Sequence, residues 1–432
     1  MLALYFFQLG KSNNQIIIGM KKLLFALLCA SPSLLWAQGS QVNLQSPKAV
    51  GMGGAGSAYF IDESSIFYSP GALSKMDHNA IMVAGNAVMF KSAFRESGST
   101  VVNHTKSQVT PPFSVFAALG PKNSWWKAGI GIYTPYGGAV DWGTEWAGRF
   151  SLVSLSLRAI YIQPTLSFKL TENFGIGGGF VYNIGSVDLE SAIPVFFPDG
   201  KAGLATLKGT GSGTGYNVGV HYNLEDDFAI SLSYRSKVVT KLKDGDAIFD
   251  VPETVRGSFP EGTTFKSELP LPSTFALGIA FPLTEKLKMA VDGTLIGYSI
   301  YQNLDFDYSH NTDNIIGDDA LEDSHYKKNY VNAASVKAGL EYLASDKLQL
   351  RVGGGYIATP VQANYVYPET PDNVRYLASG GFTYHVNPKF ELTGSFAYQR
   401  ISPREANNVE SHLSGTYKTN IYAPGLSLSY KW

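Results

Sequence analysis

A chain of 432 residues in which 16% are charged, 13% are aromatic and 45 are glycine carries less charge than the roughly 25% of an ordinary soluble protein, a composition suited to a wall that meets lipid. The formal net charge of -1 excludes a nucleic-acid partner, which would leave a basic footprint. The single cysteine, Cys29, falls in a segment read as removed on export, which excludes disulfides and a cysteine-ligated zinc site from the mature chain.

Residues 1–19 form an upstream extension that is left out of the fold. A secretory signal follows at 20–37: Met20-Lys21-Lys22 is its basic start, Leu23 to Leu35 its apolar centre, and Ala37 the small residue before a cut ahead of Gln38. The apolar centre is too short to span a bilayer, and Cys29 lacks the small neighbour of a lipid-attachment site. No other run reaches the ~18 apolar residues of a transmembrane helix. For an exported chain of this composition the remaining way across a membrane is a closed β-barrel, because an open sheet edge leaves backbone groups unpaired in hydrocarbon.

Residues 38–78 read as a compact hatch. Within them KAVGMGGAGSAYFIDESSIFYSPGAL (48–73) has the glycines of tight turns, the bulk of Ile66-Phe67-Tyr68 and the turn signal Pro70-Gly71. Gly51, Gly53 and Gly56 also satisfy the dinucleotide pattern G-x-G-x-x-G. That pattern needs a preceding strand, a following helix and an acid about twenty residues on. Here Pro47 precedes it and Pro70-Gly71 soon follows, so the segment is read as a plug and not as a phosphate cradle.

Residues 79–432 read as the barrel. Strands of a membrane wall alternate apolar outside with small or polar inside over about ten residues. Phe228, Ile230, Leu232 and Tyr234 alternate with Ala229, Ser231, Ser233 and Arg235, and Leu287, Met289 and Val291 with Lys288, Ala290 and Asp292. Leu350, Val352 and Tyr356 oppose Gln349 and Arg351, and Leu392, Phe396 and Tyr398 oppose Glu391, Thr393 and Ser395. Short polar turns at 121–126, 171–173, 224–227, 283–286, 345–347 and 387–389 alternate with longer connections near 91–111, 137–156, 191–213, 241–263, 302–329, 361–373 and 402–415. Six turns and seven loops imply fourteen antiparallel strands with both ends on the periplasmic side. A soluble β-sandwich shows the same alternation, but export, strand number and the short-long rhythm favour the barrel. Leu426, Leu428, Tyr430 and Trp432 then share one face of a last strand suited to closing the ring.

SSIFYSPGAL (64–73), YTPYG (133–137), WAGRF (146–150), IQPTLSFKL (162–170), SYRSKV (233–238), LPLPSTFALGIAF (269–281), LRVGGGYIATPV (350–361) and PDNVRY (371–376) follow one another in an order and spacing that cover nearly all of the mature chain. In these segments the chain resembles the FadL family of outer-membrane transporters for long-chain fatty acids and other hydrophobic compounds. The resemblance implies a fourteen-stranded barrel plugged by its N-terminal hatch in a Gram-negative outer membrane, with passive uptake of long-chain fatty acids or other hydrophobic small molecules. It implies gating by Phe67, Ser69, Pro70 and Gly71, although family hatches usually carry Asn-Pro-Ala where this chain has Ser69-Pro70-Gly71. It also implies lateral release through the third strand, 127–135, where Gly129 and Gly131 permit a bulge.

Capture residues are read from the outer loops. In the third loop Ile193, Val195, Phe196, Phe197, Leu204 and Leu207 make an apolar patch of the kind that marks binding. In the second, Trp142, Trp146 and Phe150 offer another wall, and Arg149 a charge-assisted contact to a carboxylate. The structural alternatives are a loop core and an aromatic belt at the lipid interface.

Catalytic patterns are missing. The histidines at 78, 104, 221, 310, 325, 385 and 412 are scattered, with no H-E-x-x-H and no G-x-S-x-G. The expectation is a protein that is not an enzyme and has no cofactor and no metal. The acidic run Asp305 to Asp323 lacks calcium-loop spacing and is read as a solvated loop. Expected partners are a hydrophobic substrate and outer-membrane lipids, with the chain a monomer. The competing readings are a water-filled general porin, which the hatch opposes, and a lipid hydrolase or adhesin, for which no Ser/His pair is visible.

Overall fold

The computed structural model describes residues 42–225, 228–309 and 324–432. The upstream extension, the signal and most of the acidic run lie outside the described residues. Fourteen antiparallel strands form one closed ring. They are β1 (Ala80–Asn86, continued as Val88–Glu96), β2 (Phe113–Leu119, with outer pieces Asn103–His104 and Val109–Thr110), β3 (Trp126–Asp141), β4 (Ser154–Lys169), β5 (Phe174–Phe196), β6 (Ala202–Glu225) and β7 (Phe228–Arg235 and Val238–Asp250). The second half comprises β8 (Thr264–Leu271 and Thr274–Pro282), β9 (Leu287–Ile296), β10 (Ala333–Ser345), β11 (Leu348–Ile357), β12 (Arg375–Asn387), β13 (Phe390–Asn407) and β14 (Ser414–Lys431). The ring shuts where Ala80 of β1 meets Lys431 of β14 and Asn86 meets Gly425, while β1 pairs with β2 on its other side. Closure leaves no edge to be satisfied in lipid.

The strand number and the order of turns and loops follow the expected rhythm, but the strands run farther outward than expected. β5 has 23 residues and β6 has 24, about twice the 9–11 that cross a bilayer. The connection expected at 191–213 is therefore mostly ladder: Ile193 lies opposite Gly203 and Phe196 opposite Ala202. The cause is a change of outward chemistry along one strand. On β5 the outward set passes from Ile176, Phe180 and Ile184, all exposed, to Asp188 and Glu190. Asp188 pairs across to Lys208 at 3.7 Å, and Lys241 of β7 to Glu268 of β8 at 3.0 Å. Ladder hydrogen bonds continue past the lipid while the hydrophobic signal that marks a membrane strand stops.

Aromatic residues girdle the periplasmic rim, where Trp125 stacks on Phe168 at 5.6 Å and Tyr430 on Trp432 at 5.6 Å. Amphipathic rings suit that boundary. The inner face is polar and small, with Gln163, Ser167, Asn183, Asn217, Thr393 and Ser429 all buried, because it faces the hatch.

The hatch comprises α1 (Pro47–Gly51), α2 (Ser65–Tyr68) and a 3-10 turn at Pro70–Lys75. Gly53 and Gly54 turn the chain after α1 with φ of 73° and 80°, a region that favours glycine. The wall answers with glycines of its own. A Cβ on Gly353 would lie 2.1 Å from the Met52 carbonyl carbon, one on Gly339 2.4 Å from Met52 Cβ, and one on Gly177 2.3 Å from the Pro70 oxygen. The glycine pattern in the hatch thus serves turning and backbone-to-wall contact. Polar wall residues bind the hatch backbone: Gln163 Nε2 donates to the Ile66 oxygen at 2.7 Å, Arg235 Nη2 to the Phe67 oxygen at 2.8 Å, and Asp292 accepts from the Gly56 and Ser57 N–H groups at 3.0 and 3.1 Å. Each such bond is worth about 1 kcal/mol net, more where a charge takes part, so the plug is held by many modest contacts.

Candidate transport site

Above the hatch the barrel encloses a chamber of about 200 Å³ lined chiefly by apolar side chains, among them Val88, Phe90, Val140, Leu155, Leu157 and Ile421. Its floor is the first described part of the hatch, Val42, Asn43 and Leu44. Its roof is the packed core of the outer loops, to which Val140 and Tyr330 also belong. The charged residues on its wall have partners. Arg375 Nε lies 2.7 Å from Asp372 Oδ1, Thr359 Oγ1 donates to Asp372 Oδ2 at 2.9 Å, and Glu369 Oε1 takes Lys328 Nζ at 2.6 Å. Burial pushes the Asp372 carboxyl above the usual carboxylate range, and Arg375 opposes that only in part. A chiefly apolar cavity whose charged groups are paired accepts an apolar guest, and Asn43 Oδ1 and Gln399 Oε1 on its lining, unpartnered among the described residues, leave room for a polar contact.

One side of the chamber borders an interruption in the wall. β2 and β3 pair from Leu119 opposite Ala128 to Ser114 opposite Tyr133. Beyond that point the outer pieces of β2 pair with β1, and β3 continues beside β4 with a register shift between Tyr133 and Tyr136. The cause is local: Pro135 has no N–H to give a ladder, and one extra residue makes a bulge. Phe113 N–H donates to Thr134 Oγ1 at 3.1 Å below the break, and Lys106 N–H to the Asp141 oxygen at 2.7 Å above it. Between these two ties Thr110, Gly137 and Gly138 line the chamber, and a Cβ on Gly138 would meet nothing within 4 Å. The first described residues of the hatch are tied to the same place. Val42 N–H donates to the Pro135 oxygen at 2.8 Å, Gln45 Nε2 to the Thr134 oxygen at 3.0 Å, and Ser114 Oγ to the Gln45 oxygen at 2.6 Å.

At Gly129 and Gly131, where the resemblance implies lateral release, the ladder is continuous. Gly129 pairs with Ala118 and Thr165, and Gly131 with Phe116 and Gln163, in an unbroken ladder on both sides. The missing side chain of Gly129 makes room for Ile66 of the hatch, 2.6 Å from an added Cβ, and that of Gly131 for the Phe116 ring of β2 at 2.7 Å as well as for Ile66 at 3.2 Å. The register shift falls instead at Pro135-Tyr136-Gly137-Gly138, where proline and paired glycines inside a strand announce a bulge.

The other expected residues fall into three places. Phe67 is buried, with the Arg235 guanidinium 3.9 Å from its ring centroid and Tyr133 edge-on at 5.1 Å. Ser69, Pro70 and Gly71 are buried beside it. An added Cβ on Gly71 would be 2.7 Å from the Gly175 oxygen and 2.9 Å from the Gly219 oxygen, which accounts for glycine where the resemblance leads one to expect alanine. Gly71→Ala is expected to cost about 1–3 kcal/mol through overpacking, readable as a lower temperature for heat-modified gel mobility; an unchanged transition would show that the wall yields there.

Trp142 and Trp146 are loop core. They stack at 4.5 Å and donate to the Pro368 oxygen at 3.1 Å and the Leu152 oxygen at 2.7 Å. Arg149 lies over the exposed ring of Phe150, 4.6 Å from its centroid, and gives Nη1 to the Trp146 oxygen at 3.4 Å. Ile193, Val195 and Leu207 pack inward against Phe249, Phe265 and Phe306, Leu204 and Phe197 are half-buried, and Phe196 is exposed. The apolar patch expected on a loop is thus split between the two faces of a β-hairpin. Val42, Leu44 and Gly138 are not singled out by sequence; Pro135 lies in YTPYG, and Asp372 and Arg375, three residues apart, lie in PDNVRY, but the sequence assigns neither motif a place at the site.

A closed barrel with a buried N-terminal plug, an apolar chamber and outward aromatic girdles defines the class: a plugged outer-membrane transport barrel. The family described as outer membrane protein transport protein (OMPP1/FadL/TodX) matches residues 27–432, and the chain belongs to it. The long-chain fatty acid transport protein of Salmonella typhi is 23% identical, covering 84% of this chain and 87% of that protein. A FadL homologue of Pseudomonas aeruginosa superposes with a TM-score of 0.78 at 19% identity, over 91% of this chain and 99% of that one. The toluene transporter TodX of Pseudomonas putida superposes with a TM-score of 0.66 at 14% identity, over 92% and 99%. The protein is accordingly an outer-membrane transporter of a family that handles hydrophobic compounds, and not an enzyme.

Proposed function

We propose that the protein takes up hydrophobic small molecules passively, receiving them beneath the outer loops, holding them in the chamber and releasing them sideways into the bilayer between β2 and β3 at Pro135–Gly138. The observation that carries this reading is the contact of the apolar chamber with the interrupted seam, while the route straight down is filled by the hatch. The start of the hatch, 42–45, acts as a strap: it floors the chamber and is hydrogen-bonded to Thr134 and Pro135, so a guest that lifts Val42 and Leu44 also loosens the seam. The guest favoured by the lining is uncharged and rich in hydrocarbon, because Arg375 is engaged by Asp372 and a free carboxylate would enter without a partner. Long-chain fatty acids and toluene are what relatives are named for, and the two chemistries are separable by experiment.

Cells lacking the protein and cells restored with it are compared for uptake of a labelled alkylbenzene and a labelled long-chain fatty acid. The expected result is a larger gain for the alkylbenzene. Equal uptake of both compounds with and without the protein would overturn the assignment. Leu157→Asp places a carboxylate in the chamber and is expected to lower uptake about tenfold; undiminished uptake in a folded variant would remove the chamber from the path.

A further inference from the structure

The buried charges of the plug take no part in the path proposed above. Lys48 on α1 is 8% exposed and sends Nζ to Asp62 Oδ2 at 3.3 Å and Glu391 Oε2 at 3.0 Å. Glu391, on β13, also meets Lys431 of β14 and, at 3.2 Å, His385 of β12. Asp62 is held by the Ser64 N–H at 2.9 Å. Glu63 is 1% exposed and accepts from Ser429 Oγ of β14 at 2.7 Å. Three carboxylates, two from the hatch and one from the wall, therefore converge around one lysine supplied by the hatch. Burial disfavours the charge on Lys48, but Asp62 and Glu391 outweigh it and hold the amine above the ordinary lysine range. Burial, reinforced by Asp62, pushes the Glu63 carboxyl up.

The strap has a different character. Its ties to the wall are single neutral hydrogen bonds from Val42, Gln45, Ser114 and Asn86. We infer that Lys48 is an ionic latch that pins the plug to the seam of β13 and β14 and keeps the lumen closed to ions and hydrophilic solutes, leaving the strap as the part free to move. Without the latch the hatch carboxylates lose the cation that joins them to the wall, while Glu391 keeps Lys431 and His385 on the wall side, so among the described residues nothing charged of opposite sign spans the boundary between Asp62 and Glu391. Breaking a buried charge set by removing one member is far more costly than removing the whole set. That asymmetry separates a latch from simple filling of space.

The test reads leak, not uptake, so it does not depend on the substrate. Full-length protein in planar bilayers is compared with Lys48→Met, Lys48→Arg and the triple variant Lys48→Met/Asp62→Asn/Glu391→Gln, barrel assembly being checked by heat-modifiable gel mobility. Lys48→Met is expected to raise the time-averaged current about a hundredfold, Lys48→Arg to stay closed, and the triple variant to return most of the way to the parent. A closed Lys48→Met barrel overturns the latch. So does a triple variant that leaks as much as Lys48→Met, because lost packing would then be the cause. Should Lys48→Met not assemble, Asp62→Asn removes one hatch carboxylate from the same cluster and is expected to give a smaller leak than Glu391→Gln, which frees the wall side; the reverse order overturns the inference.

Discussion

Replacing Gly353 by valine is expected to drive the plug from its seat and turn a closed barrel into an open pore. An added Cβ at that position would lie 2.1 Å from the Met52 carbonyl carbon and 2.3 Å from the Gly53 nitrogen. Overpacking a core usually costs about 1–3 kcal/mol because side chains can shift. Here the obstructing atoms are backbone, and Met52 is also pressed against Gly339 on the neighbouring strand. Gly53, at φ 73°, leaves the turn little alternative conformation. The wall itself is unharmed, since valine suits a strand. Cells carrying Gly353→Val should become sensitive to a hydrophilic antibiotic too large for ordinary porins. Full resistance, with the variant assembled in the membrane, would show that the hatch can shift and still seal.

The second large effect concerns the seam. Gly138→Trp puts a bulky ring where an added Cβ meets nothing, between the chamber and the interruption beyond Tyr133. Uptake of the alkylbenzene is expected to fall about tenfold or more, in line with steric closure of a path, while the barrel stays closed to ions. Gly129→Leu and Gly131→Leu should act differently. The first would press on Ile66 of the plug and the second on the Phe116 ring of the wall and on Ile66, so the expected readout is leak and poor assembly instead of a clean loss of uptake. Loss of uptake without leak at Gly129, together with full uptake at Gly138→Trp, would return the exit to the lower part of β3.

These contrasts mark what the residues disclose on their own. Alternation such as Phe228 to Arg235 or Leu392 to Ser395 reports a wall with lipid on one side, and a closed ring follows from the cost of unpaired backbone in hydrocarbon. The outer halves of β5 to β8 are illegible by the same rule, because Asp188, Lys208, Lys241 and Glu268 keep the ladder with charge pairs where the rule looks for apolar residues. The glycines are the harder case. Gly53, Gly71, Gly129 and Gly353 look alike in sequence, yet one turns the hatch, one fits beneath wall carbonyls, one clears Ile66 and one admits the hatch backbone. Their meaning lies in which strand faces them, and that is a property of closure. The chamber is hidden for the same reason: Val42, Val140, Leu157 and Ile421 come from both ends of the chain and share no local pattern.

The glycine contacts also bear on how the molecule is put together. The hatch is gripped by strands made early and strands made late: the Pro70-Gly71 turn lies against Gly175, Gly177 and Gly219, while Met52 and Gly53 lie against Gly339, Gly353 and Gly354. Clearances of this size leave no passage for threading the hatch into a finished cylinder. A plug gripped this closely from both sides is expected to be in place before β14 joins β1, so that the hatch acts as a mandrel for the cylinder.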